Sequence, residues 1–277
     1  MRRRFIQCDV FSNTALRGNG LAVVLDGEGL STEQMQRFAI WTRQAETTFI
    51  LPPTDARADY RVRIFSATRE MPFAGHPTLG SAAAWIHGGG QAQDAGCLVQ
   101  ECAIGLVEVD LTGAAPAFVA PPTKAVSMAP REQARICAAL AIREEEVLAA
   151  VHLDNGVERN LLELADAQRV LELDASAVSL PEFVGVSVLG RYPTGGEVAY
   201  ETRNLTPASL MSEDPITGSM NAAIAVWLRD EGRLDKDIVI AQGTVMGCLG
   251  RVFIRRRGNE VLIGGHTTIV IDGMADL

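Results

Sequence analysis

The chain is short of aromatic side chains, at 5% of its residues, and holds only four histidines and five cysteines in 277 residues. The cysteines, at 8, 97, 102, 137 and 248, are odd in number and match no zinc-site spacing, which argues against a disulfide framework and against thiolate metal sites. Cys97 and Cys102 flank a strand-like segment and are the one pair a bridge could join; reduced thiols in a cytoplasmic protein are the expectation. Positive charge is scarce as well: 25 Lys and Arg against 34 Asp and Glu give a net charge of −9 and a pI near 5.0. The runs Arg2-Arg3-Arg4 and Arg255-Arg256-Arg257 are too brief for a basic face and read as solvated strand ends, so no nucleic-acid partner is expected. No apolar stretch is long enough to span a bilayer, and the basic N-terminus lacks the apolar core and small-residue cleavage site of a leader, so no membrane partner is expected. His87, His152 and His266 are scattered, with no pair at helical i,i+4 spacing, and no metal is expected. Gly88-Gly89-Gly90 is not followed by Lys and Ser/Thr at phosphate-loop spacing, and no Gly-x-Ser-x-Gly elbow exists.

What remains is an apolar-rich chain, 47% hydrophobic, long enough for two cores. Residues 4–11 and 21–25 read as strands. Ser31 can cap a helix and Gln34 completes a capping box; Met35, Phe38 and Trp41 give that helix an apolar stripe. Strands are expected at 47–51, 60–65, 97–102 and 105–111, and a helix from Thr78 to Ile86 stopped by the three glycines. The proline-rich stretch 114–130 suggests a boundary, with an N-terminal half at 1–117 and a C-terminal half at 118–277 whose final strand could pack back on the first. Helices are expected at 130–141, 166–173 and from Pro215 to Leu228. Strands are expected near 184–189, 197–203, 237–241, 250–256 and 260–271.

Two helices carry few charges and many small residues. His76-Pro77-Thr78-Leu79-Gly80-Ser81-Ala82 and Asp214-Pro215-Ile216-Thr217-Gly218-Ser219-Met220 align without a gap at an offset of 138, half the chain, and each continues through alanines to a Trp, at 85 and 227. The alignment implies duplication. In this reading each Pro is the first helical residue, Asp214 is an N-cap, and sheet surrounds each helix on most sides. The helix N-termini then carry unpaired N–H groups; facing each other, they would form a pocket for a substrate carboxylate between the halves.

Gly18-Asn19 before Leu-Ala-Val-Val, Glu46-Thr47-Thr48-Phe49, Pro72-Phe73-Ala74-Gly75-His76-Pro77-Thr78-Leu79-Gly80 and Glu213-Asp214-Pro215-Ile216-Thr217-Gly218-Ser219 resemble, in order and spacing, the phenazine biosynthesis PhzF-like family, with weaker signals at Gln242-Gly243 and Gly264-Gly265. The resemblance implies an α+β, diaminopimelate epimerase-like fold: two similar barrel-like domains, each a curved, mostly antiparallel sheet around a central helix. It implies a cofactor-independent isomerase with Glu46 as general acid/base. His76 and Asp214 would line the site and assist proton transfer, and Gly75, Gly218 and Ser219 would bind substrate. It leaves a homodimer open. The sequence departs from the family at Gly20, usually Pro, at Met220, often Ala, and at Cys248, often Arg; these positions bear on substrate identity.

Read without the resemblance, Glu46 is a solvated strand-edge carboxylate, His76 a buried or capping histidine and Asp214 a helix start chosen for stability. Two other functions are weighed against the isomerase. A two-thiol amino-acid racemase or epimerase of the same fold needs a cysteine at each helix start, where this chain has His76 and Asp214. The other is a small-molecule binding protein that kept the pocket but lost catalysis, against which the retention of Glu46, His76 and Asp214 together speaks.

Overall fold

The computed structural model describes residues 1–175, 185–205 and 213–277. By its contacts the chain forms two compact units, one of Met1–Val119 with Gly264–Leu277 and the other of Ala120–Ile263.

The first unit begins with β1 (Arg2–Val10) and β2 (Asn19–Val24), an antiparallel pair. Helix α1 (Thr32–Thr42) crosses to β3 (Glu46–Leu51), which lies parallel to β2. The Ser31 hydroxyl accepts from the Gln34 amide and the Gln34 side chain accepts from the Ser31 amide, so the capping box is formed in full. Met35, Phe38 and Ala39 are the buried stripe of α1; Trp41, expected in it, is 75% exposed and stacks on Phe38 at the surface, because the stripe follows i, i+3, i+4 and leaves the seventh position outside. Next come β4 (Tyr60–Ser66), antiparallel to β3, and the short β5 (Glu70–Met71). Helix α2 (Gly75–His87) then crosses to β6 (Cys97–Cys102), which is parallel to β4 and is followed by the antiparallel strands β7 (Gly105–Asp110) and β8 (Ala117–Val119).

The second unit repeats this element order behind one extra strand and helix. After β9 (Lys124–Ser127) and α3 (Pro130–Ala139, with Pro130 at its start) come β10 (Val147–Asp154) and β11 (Glu158–Leu164), an antiparallel pair. Helix α4 (Ala167–Leu171), capped by Asp166, crosses to β12 (Val186–Arg191), which is parallel to β11. Strand β13 (Tyr200–Leu205) is antiparallel to β12 and carries the short β14 (Glu213–Asp214). Helix α5 (Gly218–Asp230) crosses to β15 (Ile238–Gln242), parallel to β13, followed by β16 (Gly250–Arg257) and β17 (Glu260–Gly264). The last strand, β18 (Thr267–Asp276), returns to pair with β1 of the first unit, so the continuous strand expected over 260–271 is two strands broken at Gly265-His266. Residue 184, the first of the strand expected at 184–189, lies outside the described residues.

Both central helices have 13 residues, nine of them buried in α2 and ten in α5. Helix α2 packs on β1, β2, β3, β6, β8 and β18, and α5 on β10 and β16. An apolar helix of Ala, Gly and Leu satisfies its backbone internally and needs only apolar neighbours, which makes it suited to the middle of a sheet. Among the described residues no helix is long and apolar enough to cross a membrane.

Candidate active site

The helix starts differ from the expected ones. Helix α2 begins at Gly75, so Pro77 is its third residue; its missing N–H falls among first-turn donors that have no intrahelical partner in any case. Helix α5 begins at Gly218 with Thr217 as N-cap, so Pro215 lies outside it and Asp214 is no cap but the end of β14. The repeated element order therefore sets a different register from the one expected. Each short strand is followed by a three-residue link that opens on a proline and leads to a glycine at the first helical position. Pro72 matches Pro215, Gly75 matches Gly218, and His76 matches Ser219. The expected gapless alignment matched small residues that both helices contain for the same reason, burial.

In the first unit, Glu46 opens β3, opposite Ser66 of β4 and beside Leu21 of β2. His76, at the second position of α2, brings its Nδ1 to 2.9 Å from Glu46 Oε2. The imidazole is 6% exposed and the carboxylate 19%. His76 Nε2 is buried and has no hydrogen-bond partner among the described residues. The contact commits Nδ1 to the carboxylate and leaves the other imidazole nitrogen uncommitted. Gly75 sits on the ring of Phe118: a Cβ there would lie 2.4 Å from Phe118 Cζ, so only glycine lets the helix start this close to β8. Behind the helix, Ser81 donates to Thr48 at 2.9 Å, Gln100 to Thr78 at 3.1 Å and Tyr60 to Gln100 at 3.0 Å, tying α2 to β3, β4 and β6.

In the second unit, Thr217 Oγ1 donates to Asp214 Oδ2 at 2.6 Å and accepts from Asn204 Nδ2 at 3.0 Å and Gln242 Nε2 at 3.1 Å. Gln242 also donates to the Asp214 carbonyl and accepts from the Thr217 amide and from Asn221 Nδ2. Asp214 is thereby fixed at the mouth of α5. Glu213, its neighbour, turns inward to a buried two-point ion pair with Arg203, at 3.0 and 2.8 Å, and Arg203 also caps the Val170 and Leu173 carbonyls. Ser219 Oγ accepts from Arg159 Nη2 at 2.6 Å, and its carbonyl accepts from Asn155 Nδ2 at 2.8 Å. Burial lowers the pKa of Arg159, against which the charge of Asp214 acts.

The first unit thus joins two of the expected site residues, Glu46 and His76, with Gly75 at the same helix start. The second joins Asp214, Gly218 and Ser219 around the start of α5. Sequence reasoning missed Thr217, Gln242, Asn155 and Arg159; Thr217 and Gln242 carried a signal, within the motif at 214–219 and as part of Gln242-Gly243, and the other two carried none. Of the three departures, a Cβ at Gly20 would meet Gln44 Oε1 at 2.3 Å, Met220 is fully buried in α5, and Cys248 flanks Gly243. Among the described residues none of the five cysteines is in a disulfide, and none occupies either helix start. Among the described residues no cluster of three or more His, Cys, Asp and Glu side chains is arranged to hold a metal ion.

A family model described as phenazine biosynthesis-like protein matches residues 8–273. An uncharacterized isomerase of Mesorhizobium japonicum is 34% identical over 98% of both chains. The trans-2,3-dihydro-3-hydroxyanthranilate isomerase of Pseudomonas aeruginosa is 30% identical over 99% of both. A Bacillus anthracis PhzF-family crystal structure superposes over the whole of both chains with a TM-score of 0.84 at 19% identity. The fold is the expected α+β, diaminopimelate epimerase-like one.

Proposed function

The chain belongs to the phenazine biosynthesis-like protein family and is an isomerase. From that premise we propose that it moves a proton on a small carboxylic acid, cyclic or unsaturated, with Glu46 as general acid/base and without a cofactor. The observation that carries this reading is the 2.9 Å contact between Glu46 and His76 at the buried start of α2.

A 1,3-proton shift needs one group that takes a proton from carbon and returns it to another carbon. Glu46 does both: it removes the proton, the electron pair moves through the neighbouring double bond, and the Glu46 carboxyl delivers a proton at its far end. The carboxylate is 19% exposed, so the proton it holds can exchange with solvent before it is returned, and label from heavy water then reaches the product carbon. His76 orients Glu46 and holds a proton at Nδ1, while its uncommitted Nε2 is a second position at which a proton can be given or taken. Asp214, Gly218 and Ser219 are assigned to the same substrate: Asp214 as a second proton-transfer group, the helix-start residues Gly75, Gly218 and Ser219 as donors to its carboxylate. The substrate in the name of the Pseudomonas aeruginosa relative, a partly reduced anthranilate, has the required carboxylate beside a ring with double bonds.

The racemase reading needs a thiol at each helix start; those positions hold His76 and Ser219. The test is to incubate the protein in heavy water with trans-2,3-dihydro-3-hydroxyanthranilate and simpler cyclic and unsaturated acids. Deuterium appearing at a ring or chain carbon supports proton transfer. Tight binding of these acids with neither exchange nor isomerisation of any of them supports the non-catalytic binding protein instead.

A further inference from the structure

We propose that Arg159 makes this isomerase select an anionic substrate: its guanidinium, held against Ser219, supplies the positive charge for the substrate carboxylate, which takes the hydroxyl proton of Ser219. This rests on the isomerase reading above and adds the residue that sets its substrate class.

The argument starts from a count of donors. The Ser219 oxygen accepts from Arg159 Nη2 at 2.6 Å, and the hydroxyl has one proton to give. Among the described residues nothing accepts it. The Ser219 carbonyl is occupied by Asn155 Nδ2, so the residue is held from both sides with its proton unspent. Donation from a cation polarises the hydroxyl and makes it a stronger donor.

Arg159 is under-committed too. Its Nε is buried without a partner, and among the described residues no carboxylate lies within ion-pair distance of its guanidinium. Asp214 acts on it only through space, and burial lowers its pKa without discharging a group this basic. A withdrawn cation with no contacting counter-ion is costly unless a ligand supplies one. Arg159 is not sealed off, being only half-buried; it also borders a 370 Å³ recess with Lys124, His152 and Asn160, which Ser219 does not line. Other charges there are Asp154, Glu158 and Glu132, the last tied to His152 at 3.0 Å. The repeat sharpens the contrast. His76, the counterpart of Ser219, bonds a carboxylate, whereas Ser219 bonds a guanidinium. One helix start is equipped to move a proton and the other to hold an anion.

The test follows the backbone amide resonances of Gly218 and Ser219 while acetate or its uncharged isostere acetamide is added. In the wild type, acetate shifts them saturably and acetamide does not. In Arg159→Met the acetate dissociation constant rises about tenfold or more, while Arg159→Lys keeps most of the preference. A residue that merely braced the hairpin would not move the acetate-over-acetamide ratio. If Arg159→Met fails to fold, Ser219→Ala carries the test and must weaken acetate. No saturable acetate shift in the wild type, equal response to acetamide, or acetate affinity unchanged in Arg159→Met or in Ser219→Ala overturns the proposal. Deuterium exchange is read separately. A protein that exchanges but ignores acetate refutes the Arg159 role alone, and one that binds acetate but never exchanges refutes the proton-transfer reading alone.

Discussion

His76 and Ser219 are each the second residue of a 13-residue buried helix, yet His76 contacts a carboxylate and Ser219 a guanidinium. Two units with one element order have thus acquired opposite electrostatic surroundings at the same position. If His76 serves proton transfer, His76→Asn should retain a donor toward Glu46 but carry no exchangeable base. Solvent-deuterium exchange into substrate should then fall about a hundredfold or more with the melting temperature nearly unchanged.

Gly75→Ala tests the close approach of α2 to β8. The added methyl meets the Phe118 ring at 2.4 Å, and the ring also packs edge-on against Phe73 at 5.7 Å between centroids, so it has little room to yield. Overpacking of this kind costs about 1–3 kcal/mol, to be read as a lower urea midpoint with an unchanged slope.

The Arg203–Glu213 pair is buried at both ends, with side-chain exposures of 3% and 4%. Glu213→Leu leaves the guanidinium without its counter-ion and should cost about 3–5 kcal/mol by denaturant unfolding. The double variant Arg203→Met/Glu213→Leu should lose less than the sum of the two single changes, because no unpaired charge remains. An additive double variant would mean that the pair is not coupled.

Acid should release a tie between the first and last strands. Asp272 of β18 binds Arg4 of β1 and His87 at the end of α2, and these partners, Arg4 first, pull its pKa from the ordinary 3.8 to about 2. A depressed carboxylate stabilises the fold fully above its unfolded pKa and loses that contribution as pH falls through its folded one. Asp272→Asn should therefore lower the urea midpoint at neutral pH, the gap to wild type should close as pH falls from about 4 to 2, and salt should narrow it, because the groups are exposed. A gap that is constant down to pH 2 would contradict this.

Local rules were legible in the sequence where short-range chemistry decides. Ser31 and Gln34 write their capping box directly, Pro130 starts α3, and Gly88 follows α2. Glu46 and His76 stood out through motifs, though nothing in the chain order says that residues 30 apart will touch. The β10–β11 hairpin went unseen because Ala149-Ala150 and Leu161-Leu162-Glu163-Leu164 favour helix by propensity; pairing with β9 and β12 overrides that preference. Asn155 and Arg159 were lost with it. The repeat register was misread for a physical reason as well: small residues recur wherever a helix is enclosed by sheet, so Gly-Ser pairs align at more than one offset, and only the strand order fixes which is structural.

The central claim is that Glu46 carries the proton, and Glu46→Gln tests it most directly. The amide is nearly isosteric, keeps a hydrogen bond to His76 and cannot act as a base. The measurement is deuterium incorporation from heavy water into a substrate that the wild type exchanges, with ligand binding followed in parallel. The account predicts bound substrate and exchange slowed by about 10²–10⁴. Exchange at the wild-type rate in a folded Glu46→Gln protein would contradict it.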